Sequence, residues 1–142
     1  MKMAKITMRG FRPAGRGLKQ VLGKLEAEAM RILWQQPGQT VNEVEEKLRH
    51  KRDIAHTTVL TTLDRMHRKG YLTREKQGKA FVYSPRYTRE QFEREMAQEV
   101  LGALLGGLGE PVLSTFVELV GDDEAKLERL EELIRQKRGE KK

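Results

Sequence analysis

The chain has 142 residues, of which 35% are charged and 37% are hydrophobic, and it contains no cysteine. This length accommodates one ordinary domain, or a small domain with an appendage. The absence of cysteine excludes disulfides, thiolate metal sites and cysteine nucleophiles. No apolar run approaches the roughly 20 residues of a membrane-spanning helix, and the N-terminal residues lack the apolar block of a secretory signal. We therefore expect a cytoplasmic protein without membrane insertion.

The charge is distributed unevenly along the chain. Residues 1–87 contain 19 Lys and Arg against 8 Asp and Glu, whereas residues 88–142 contain 9 against 13. The two balances are +11 and −4, which together make the net charge of +7. A basic half joined to a mildly acidic half indicates that the first half binds a polyanion and that the second does not.

Residues 1–21 form a basic arm that contains no acidic residue. Gly10, Pro13, Gly15 and Gly17 interrupt this arm, which predicts a flexible lead-in. A basic arm of this kind either inserts into a minor groove at one defined site or attracts DNA diffusely. Both interpretations stay open from the sequence.

Three amphipathic helices are predicted after the arm. The second begins at a capping box, in which Thr40 and Glu43 satisfy each other's backbone amides, and it ends near His50. The third covers residues 56–69 and stops at Gly70, which is suited to the left-handed C-terminal position. The first covers residues 24–35, and its predicted buried stripe is Leu25, Ala29, Ile32 and Leu33.

A β-hairpin is predicted after the third helix. Two β-prone runs, residues 71–76 and 79–83, are separated by Gln77 and Gly78, which is a typical hairpin connection. Three helices followed by a hairpin is the element order of a winged helix-turn-helix domain. The predicted fold class is therefore mainly α with a small β-hairpin.

The remaining segment, from Thr88 onward, is predicted to be helical. Thr88 and Gln91 form a second capping box, and the glycine-rich residues 106–109 are expected to fray the end of the helix that begins there. A short helix is predicted over residues 112–120 because Pro111 suits its first turn. A last helix follows, capped by Asp122 or Asp123.

The third helix combines hydroxyl and cationic side chains opposite its apolar stripe. Short hydroxyls allow close approach to a groove, and arginine bridges O6 and N7 of guanine. The side chains assigned to base edges in a major groove are Thr58, Thr61, Thr62 and Arg65. The side chains of the helix and hairpin assigned to the phosphate backbone, where they position the protein without reading the sequence, are His56, Thr57, Arg68, Lys69, Arg74, Lys76 and Lys79.

Three segments resemble the penicillinase-repressor family, which includes the methicillin-resistance and copper-responsive repressors of bacteria. They are residues 22–34, the run from Ala55 to Arg65, and Arg68-Lys69-Gly70-Tyr71-Leu72. The resemblance implies a homodimeric winged-helix repressor that binds a short inverted repeat in double-stranded DNA through the third helix and wing. The expected regions are the arm at 1–21, the winged-helix domain at 22–87 and a helical dimerisation region at 88–142.

Each predicted helix of the region 88–142 has one apolar stripe. The region has too few residues to form a hydrophobic core by itself. A second copy of the chain is the expected partner. For Leu101, Leu105 and Leu108 the alternative is an effector pocket. The predicted dimerisation residues are Phe92, Met96, Val100, Leu104, Leu108, Val112, Phe116, Leu127, Leu130 and Ile134.

The resemblance does not supply an inducing signal. β-Lactam-responsive members of the family are cut at an Asn-Phe bond in the tail under the control of a membrane sensor, but the only asparagine here is Asn42. Copper-responsive members carry a Cys-x-Cys tail, and this chain has no cysteine. A membrane sensor and protease system acting at another bond stays open as an upstream partner.

An enzyme and a protein-interaction adaptor are the alternatives from other functional classes. An enzyme is not expected, because no nucleophile–base pair is evident and the glycine-rich residues 106–109 lack the Lys-Ser/Thr of a P-loop. His50, His56 and His67 lack ligand spacing, so no metal or cofactor is expected. An adaptor does not require a cationic third helix and wing. The predicted function is therefore a sequence-specific DNA-binding repressor that acts on a palindromic operator.

Overall fold

The computed structural model describes residues 22–141, and the chain divides into two compact units. The first unit, called the head below, continues through Glu99, and the second, called the tail, begins at Val100. The predicted basic arm, residues 1–21, lies outside the described residues. No helix within the described range is long and apolar enough to cross a membrane.

The head combines three helices with a small antiparallel sheet. Strand β3 is central in this sheet, with β1 and β2 on either side. The hairpin formed by β2 and β3 is the wing of a winged-helix domain, as the sequence predicts, whereas the short strand β1 was not predicted. The elements of the head are α1 (Lys24–Gln35), β1 (Gln39–Thr40), α2 (Val41–Arg49), α3 (His56–Arg68), β2 (Leu72–Gln77) and β3 (Ala80–Pro85).

Local sequence determines where these elements begin and end. The Glu43 amide donates to the Thr40 hydroxyl at 3.2 Å, and the Thr40 amide donates to the Glu43 carboxylate at 3.1 Å. Hydrogen bonds from the backbone and side chain of Thr40 lower the pKa of Glu43. Gly70, after α3, and Gly78, at the tip of the wing, have φ of +87° and +62°, a region that glycine adopts without steric cost.

The core of the head lies between α1, α2, α3 and the sheet. The buried face of α1 differs from the predicted stripe, because Leu25 and Ile32 are only partly buried while Met30 is fully buried. The buried apolar residues are Leu22, Ala27, Ala29, Met30, Leu33, Val44, Leu48, Val59, Leu63, Met66, Tyr71, Leu72, Tyr83, Tyr87, Phe92 and Met96.

Phe92 and Met96 pack in the head core, not on the dimerisation surface to which the sequence analysis assigned them. The buried Phe92 ring lies edge-on against Trp34 and Tyr71, with ring centroids 5.7 and 5.3 Å away. The Trp34 indole N–H donates to the carbonyl oxygen of Tyr87 at 3.0 Å. The head therefore extends past the expected boundary at residue 87, because the first turns of the next helix complete its core.

The tail contains the second part of α4 (Arg89–Leu108), followed by α5 (Glu110–Val120) and α6 (Glu124–Glu140). Gly106 and Gly107 do not fray α4, since the helix continues through them and ends only before Gly109, whose φ is +63°. Of the two candidate caps for α6, Asp123 takes the position, because its carboxylate accepts from the Lys126 amide at 3.2 Å. No residue of α5 or α6 is buried in the single chain.

The position of Phe92 leads to a first prediction. Phe92→Ala removes a fully buried ring and leaves a cavity, so it is expected to lower the free energy of unfolding of the head by about 3–5 kcal/mol. Urea denaturation followed by the fluorescence of Trp34, the single tryptophan, measures this loss. Gln98→Ala, at an exposed position of the same helix, is the control and should stay within about 0.5 kcal/mol of wild type. A loss confined to self-association, with head stability unchanged, would contradict the structure.

Candidate nucleic-acid interface

Helix α3 buries one side and exposes the other. Val59, Leu63 and Met66 enter the core of the head. Residues at i, i+4, i+7 and i+11 share one side of a helix. On the side of α3 away from the core, this spacing aligns a stripe that begins at Thr57 and ends at Arg68. This stripe and the exposed residues beside it form the outer face of α3, whose members are Thr57, Thr58, Thr61, Asp64, Arg65 and Arg68.

Three of the four side chains predicted to read bases lie on the outer face of α3. Thr58, Thr61 and Arg65 are exposed there. Thr62 is only 6% exposed, and its hydroxyl donates to the carbonyl oxygen of Thr58 at 2.7 Å. Because this hydroxyl is already bonded within its own helix and turned toward the core, the expected contact of Thr62 with a base edge is contradicted.

The predicted phosphate contacts differ in how far their charges are already paired. Lys76 and Lys79 are exposed near the tip of the wing, and Arg68 has a side chain that is 78% exposed although it lies 3.0 Å from Asp64. Lys69 is less available, since its ammonium lies 3.4 Å from the Glu26 carboxylate. Lys76 and Lys79 are therefore the cations best placed to meet a polyanion, while Arg68 is exposed but paired with Asp64.

Arg74 is also engaged within the protein. Its guanidinium donates to the Asp64 carboxylate at 2.9 Å and lies 4.2 Å from the centre of the Phe81 ring. Hydrogen bonds with Tyr83 and Asp64 raise the pKa of Arg74 above its usual value. Arg74 thus connects the wing with α3, which the sequence analysis did not foresee.

The start of α3 is attached to α2 by a hydrogen bond. His56 Nδ1 lies 2.5 Å from a Glu45 carboxylate oxygen, and Arg49 lies 2.7 Å from the other oxygen of Glu45. The hydrogen bond with His56, together with the charge of Arg49, lowers the pKa of Glu45. His56, predicted to contact phosphate, therefore also orients the helix that carries it.

Two acidic residues of α1, Glu26 and Glu28, are each only 9% exposed. Glu26 faces Lys69, with Arg65 at 3.9 Å, and Glu28 binds Arg52 of the α2–α3 loop at 2.7 Å. Neither contact was predicted from the sequence, because an isolated acid in an amphipathic helix is normally solvated. The available signal was the i, i+4, i+7 spacing that aligns Glu26 with two core residues, Met30 and Leu33.

His67 adds no positive charge to this surface. Burial and the nearby positive charge of Arg74 lower the pKa of His67. Its ring is therefore neutral at neutral pH, and its Nδ1 atom is buried without a hydrogen-bond partner among residues 22–141. The charge of the interface comes from arginine and lysine.

An exposed helix face of hydroxyl and guanidinium groups, beside a wing that carries exposed lysines, defines a winged-helix DNA-binding protein. A sequence profile of the family described as penicillinase repressor matches residues 22–136. The chain therefore belongs to the penicillinase repressor family, which confirms the resemblance seen in the sequence. It is a DNA-binding transcriptional repressor, and this family is one of regulators and not of enzymes.

The chain is also similar to several individual proteins. The transcriptional regulator BlaI of Mycobacterium tuberculosis is 37% identical over 106 residues, which cover 73% of this chain and 77% of the relative. The penicillinase repressor of Bacillus licheniformis is 27% identical over 108 residues, or 76% and 82% of the two chains. The solved structure of the monomeric form of Bacillus licheniformis BlaI with the blaP half-operator is 30% identical, with a TM-score of 0.43, and covers 49% of this chain and 84% of that one.

The buried pair of Glu28 and Arg52 leads to a second prediction. Arg52→Ala leaves the Glu28 carboxylate buried without its cation, so it is expected to lower the free energy of unfolding by roughly 2–3 kcal/mol, below the range for fully buried pairs because Arg52 is partly exposed. Urea denaturation measures this loss. Arg49→Ala removes an i, i+4 pair whose arginine is 54% exposed, and the Glu45 carboxylate keeps its contact with His56, so the cost should be less than about 1 kcal/mol. Equal losses from the two substitutions would show that Arg52 does not hold the α2–α3 loop.

Proposed function

We propose that this protein represses transcription as a homodimer bound to a palindromic operator, with α3 in the major groove and the wing on the phosphate backbone. The observation that carries this proposal is the outer face of α3, where exposed threonines and Arg65 run along the helix opposite its buried stripe. The 13 residues of α3 extend over about 20 Å, which is long enough to follow a groove.

The contacts of the side chains support a division of roles. Thr58, Thr61 and Arg65 are proposed to meet base edges, because they are exposed and arginine recognises guanine in the major groove. The side chains proposed to meet phosphates are Thr57, Arg68, Lys76 and Lys79. The side chains that already bind carboxylates, and are proposed mainly to hold α3 and the wing in position, are His56, Lys69 and Arg74.

A second copy of the chain is the proposed cover for the apolar surface of the tail. A groove of about 370 Å³ lies between α4 and α5. Leu108 and Phe116 line it and are 61% and 42% exposed in the single chain. Contiguous apolar surface of this kind marks an interface. The residues that stay in the proposed dimerisation set are Val100, Leu104, Leu108, Val112, Phe116, Leu127, Leu130 and Ile134.

Two heads related by a two-fold axis require an inverted repeat. Their α3 helices are expected to reach half-sites one helical turn, or a multiple of it, apart, at about 34–36 Å per turn. Binding is expected to weaken steeply with salt, since each neutralised phosphate releases counterions. We place this activity in the cytoplasm, where a bacterial repressor meets its operator.

The upstream signal is proposed to differ from cleavage at an Asn-Phe bond. Asn42, the only asparagine, lies in α2 of the head. A membrane sensor with its protease remains a candidate partner if the cut falls at another bond of the tail, because a cut there separates the two heads. Loss of the dimer then releases the operator, since a single head makes only half of the contacts with the inverted repeat.

Selection from random DNA duplexes with the purified full chain tests the proposed function. The expected product is an enriched inverted repeat, and footprinting upstream of the protein's own gene should protect a matching site. Absence of any enriched sequence, together with absence of protection, would reject sequence-specific binding and favour the protein-interaction adaptor.

Arg65→Ala tests the base-reading role. It is expected to weaken binding to the selected operator by roughly 1–3 kcal/mol and to relax the preference at one base pair. Thr62→Val is the control, because the Thr62 side chain is buried and its hydroxyl is bonded within α3, so its effect on discrimination should be absent. Titration of wild-type and single-base-altered duplexes measures both. An equal loss of affinity on every duplex would assign Arg65 to the phosphates instead.

Phe116→Glu tests the proposed interface. A charge placed in the apolar groove of the tail is expected to dissociate the dimer, which sedimentation equilibrium detects as a halved mass. Ser114→Glu introduces the same charge at an exposed position of α5 outside the lining of that groove, and it should leave the dimer intact. A Phe116→Glu protein that remains dimeric at micromolar concentration would show that the interface lies elsewhere.

A further inference from the structure

Asp64 carries a negative charge on the outer face of α3, among the side chains that are proposed to meet DNA. It is the one acidic residue between His56 and Arg68. Its carboxylate lies 2.9 Å from the guanidinium of Arg74 and 3.0 Å from that of Arg68. A carboxylate in this position repels phosphates. Its contribution to DNA binding must therefore come through the two arginines that it holds.

Arg74 gives Asp64 a connection to both strands of the wing. Arg74 belongs to β2, and its guanidinium packs over the ring of Phe81, which belongs to β3. In the sheet register Arg74 is opposite Tyr83 and Lys76 is opposite Phe81. Residues two apart in a strand, and their direct partners, share one face. Asp64, Arg74 and Phe81 therefore form a chain of contacts from α3 to both strands of the wing.

We propose that Asp64 is a specificity-determining positioning residue, which holds the wing at a fixed distance from α3 and restrains Arg68 and Arg74. This inference rests on the proposed function. An unrestrained arginine reaches a phosphate on any DNA and so strengthens binding without regard to sequence. An arginine held on Asp64 contributes only where the shape of the bound DNA brings a phosphate to it. The restraint thus widens the difference between operator and other DNA.

Asp64→Asn removes the charge and both ion pairs with little change in shape. The affinity of this variant for a scrambled duplex is expected to rise about tenfold, the equivalent of one hydrogen bond to a charged group. The logarithm of that affinity should also fall more steeply with the logarithm of salt concentration, by about 0.9 for each phosphate gained. Affinity for the selected operator should change much less. The ratio of operator affinity to scrambled affinity therefore falls about tenfold, and an unchanged ratio would overturn the proposal.

Glu75→Gln is the matched control. Glu75 is an exposed residue of β2 next to Arg74, and it forms no ion pair within residues 22–141. The substitution removes one negative charge from the wing, on the face of β2 opposite Arg74, without releasing an arginine. The affinities for the operator and for the scrambled duplex should then rise by the same factor. The ratio of operator affinity to scrambled affinity should stay at the wild-type value. A fall in the ratio as large as that of Asp64→Asn would assign the effect to net charge and overturn the proposal.

Arg74→Gln shows whether Asp64 acts through the wing. Coupled residues give non-additive effects in a double-mutant cycle, so Asp64→Asn is expected to change the ratio less when residue 74 is already glutamine. Fully additive effects would overturn the connection through Arg74. If the Asp64→Asn variant unfolds below the temperature of the assay, Asp64→Glu is used instead. The added methylene displaces the carboxylate while the charge stays, so the ratio of operator affinity to scrambled affinity is again expected to fall.

The two proposals fail in different ways in these experiments. A wild-type protein that enriches no sequence from random duplexes would reject the proposed function. A wild-type protein that binds its operator, but whose Asp64→Asn variant keeps the same ratio, would reject the role of Asp64 alone.

Discussion

Phe92 packs between Trp34, near the end of α1, and Tyr71, which follows α3, and this aromatic cluster holds together the parts of the head that matter for function. The cluster buries the first turns of α4 beside the helix whose other side is exposed. The remaining length of α4 then leads into the tail. If the cluster is lost, both the orientation of α3 and the start of α4 lose their support, since packed aromatic side chains dominate the energetics of small cores.

A second constraint is electrostatic. Three carboxylates, on Glu26, Glu28 and Asp64, each bind a cation of α3, its flanking residues or the wing. A strongly basic head therefore does not present all of its charge to DNA. Under the proposed function, the paired cations maintain the geometry of α3 and the wing, and the exposed lysines of the wing meet phosphates. The proposed result of this division is a smaller attraction to random sequence.

The exposed face of α3 was predicted in outline from the sequence, but not residue by residue. Thr58, Thr61 and Arg65 lie where helical periodicity places them, whereas Thr62, at the edge of the buried stripe, is covered by the core. Periodicity locates the two faces of a helix well and their edges poorly. The roles of Arg74 and Lys69 were missed because their partners, Asp64 and Glu26, come from other elements, and contacts across the fold leave no mark in local sequence.

The class of this protein could be predicted from local features of its chain. These are the uneven charge, the capping boxes, the order of helices and hairpin, and the motifs of the third helix. Which side chains are available for contact depends instead on the packing of the folded chain. Phe92 and Met96 are buried in the head core and do not lie on the expected dimer surface. Some cations, such as Lys69 and Arg74, are paired with carboxylates, whereas Lys76 and Lys79 are exposed. Both outcomes depend on which residues distant in sequence meet in space, which only the packing of the folded chain determines.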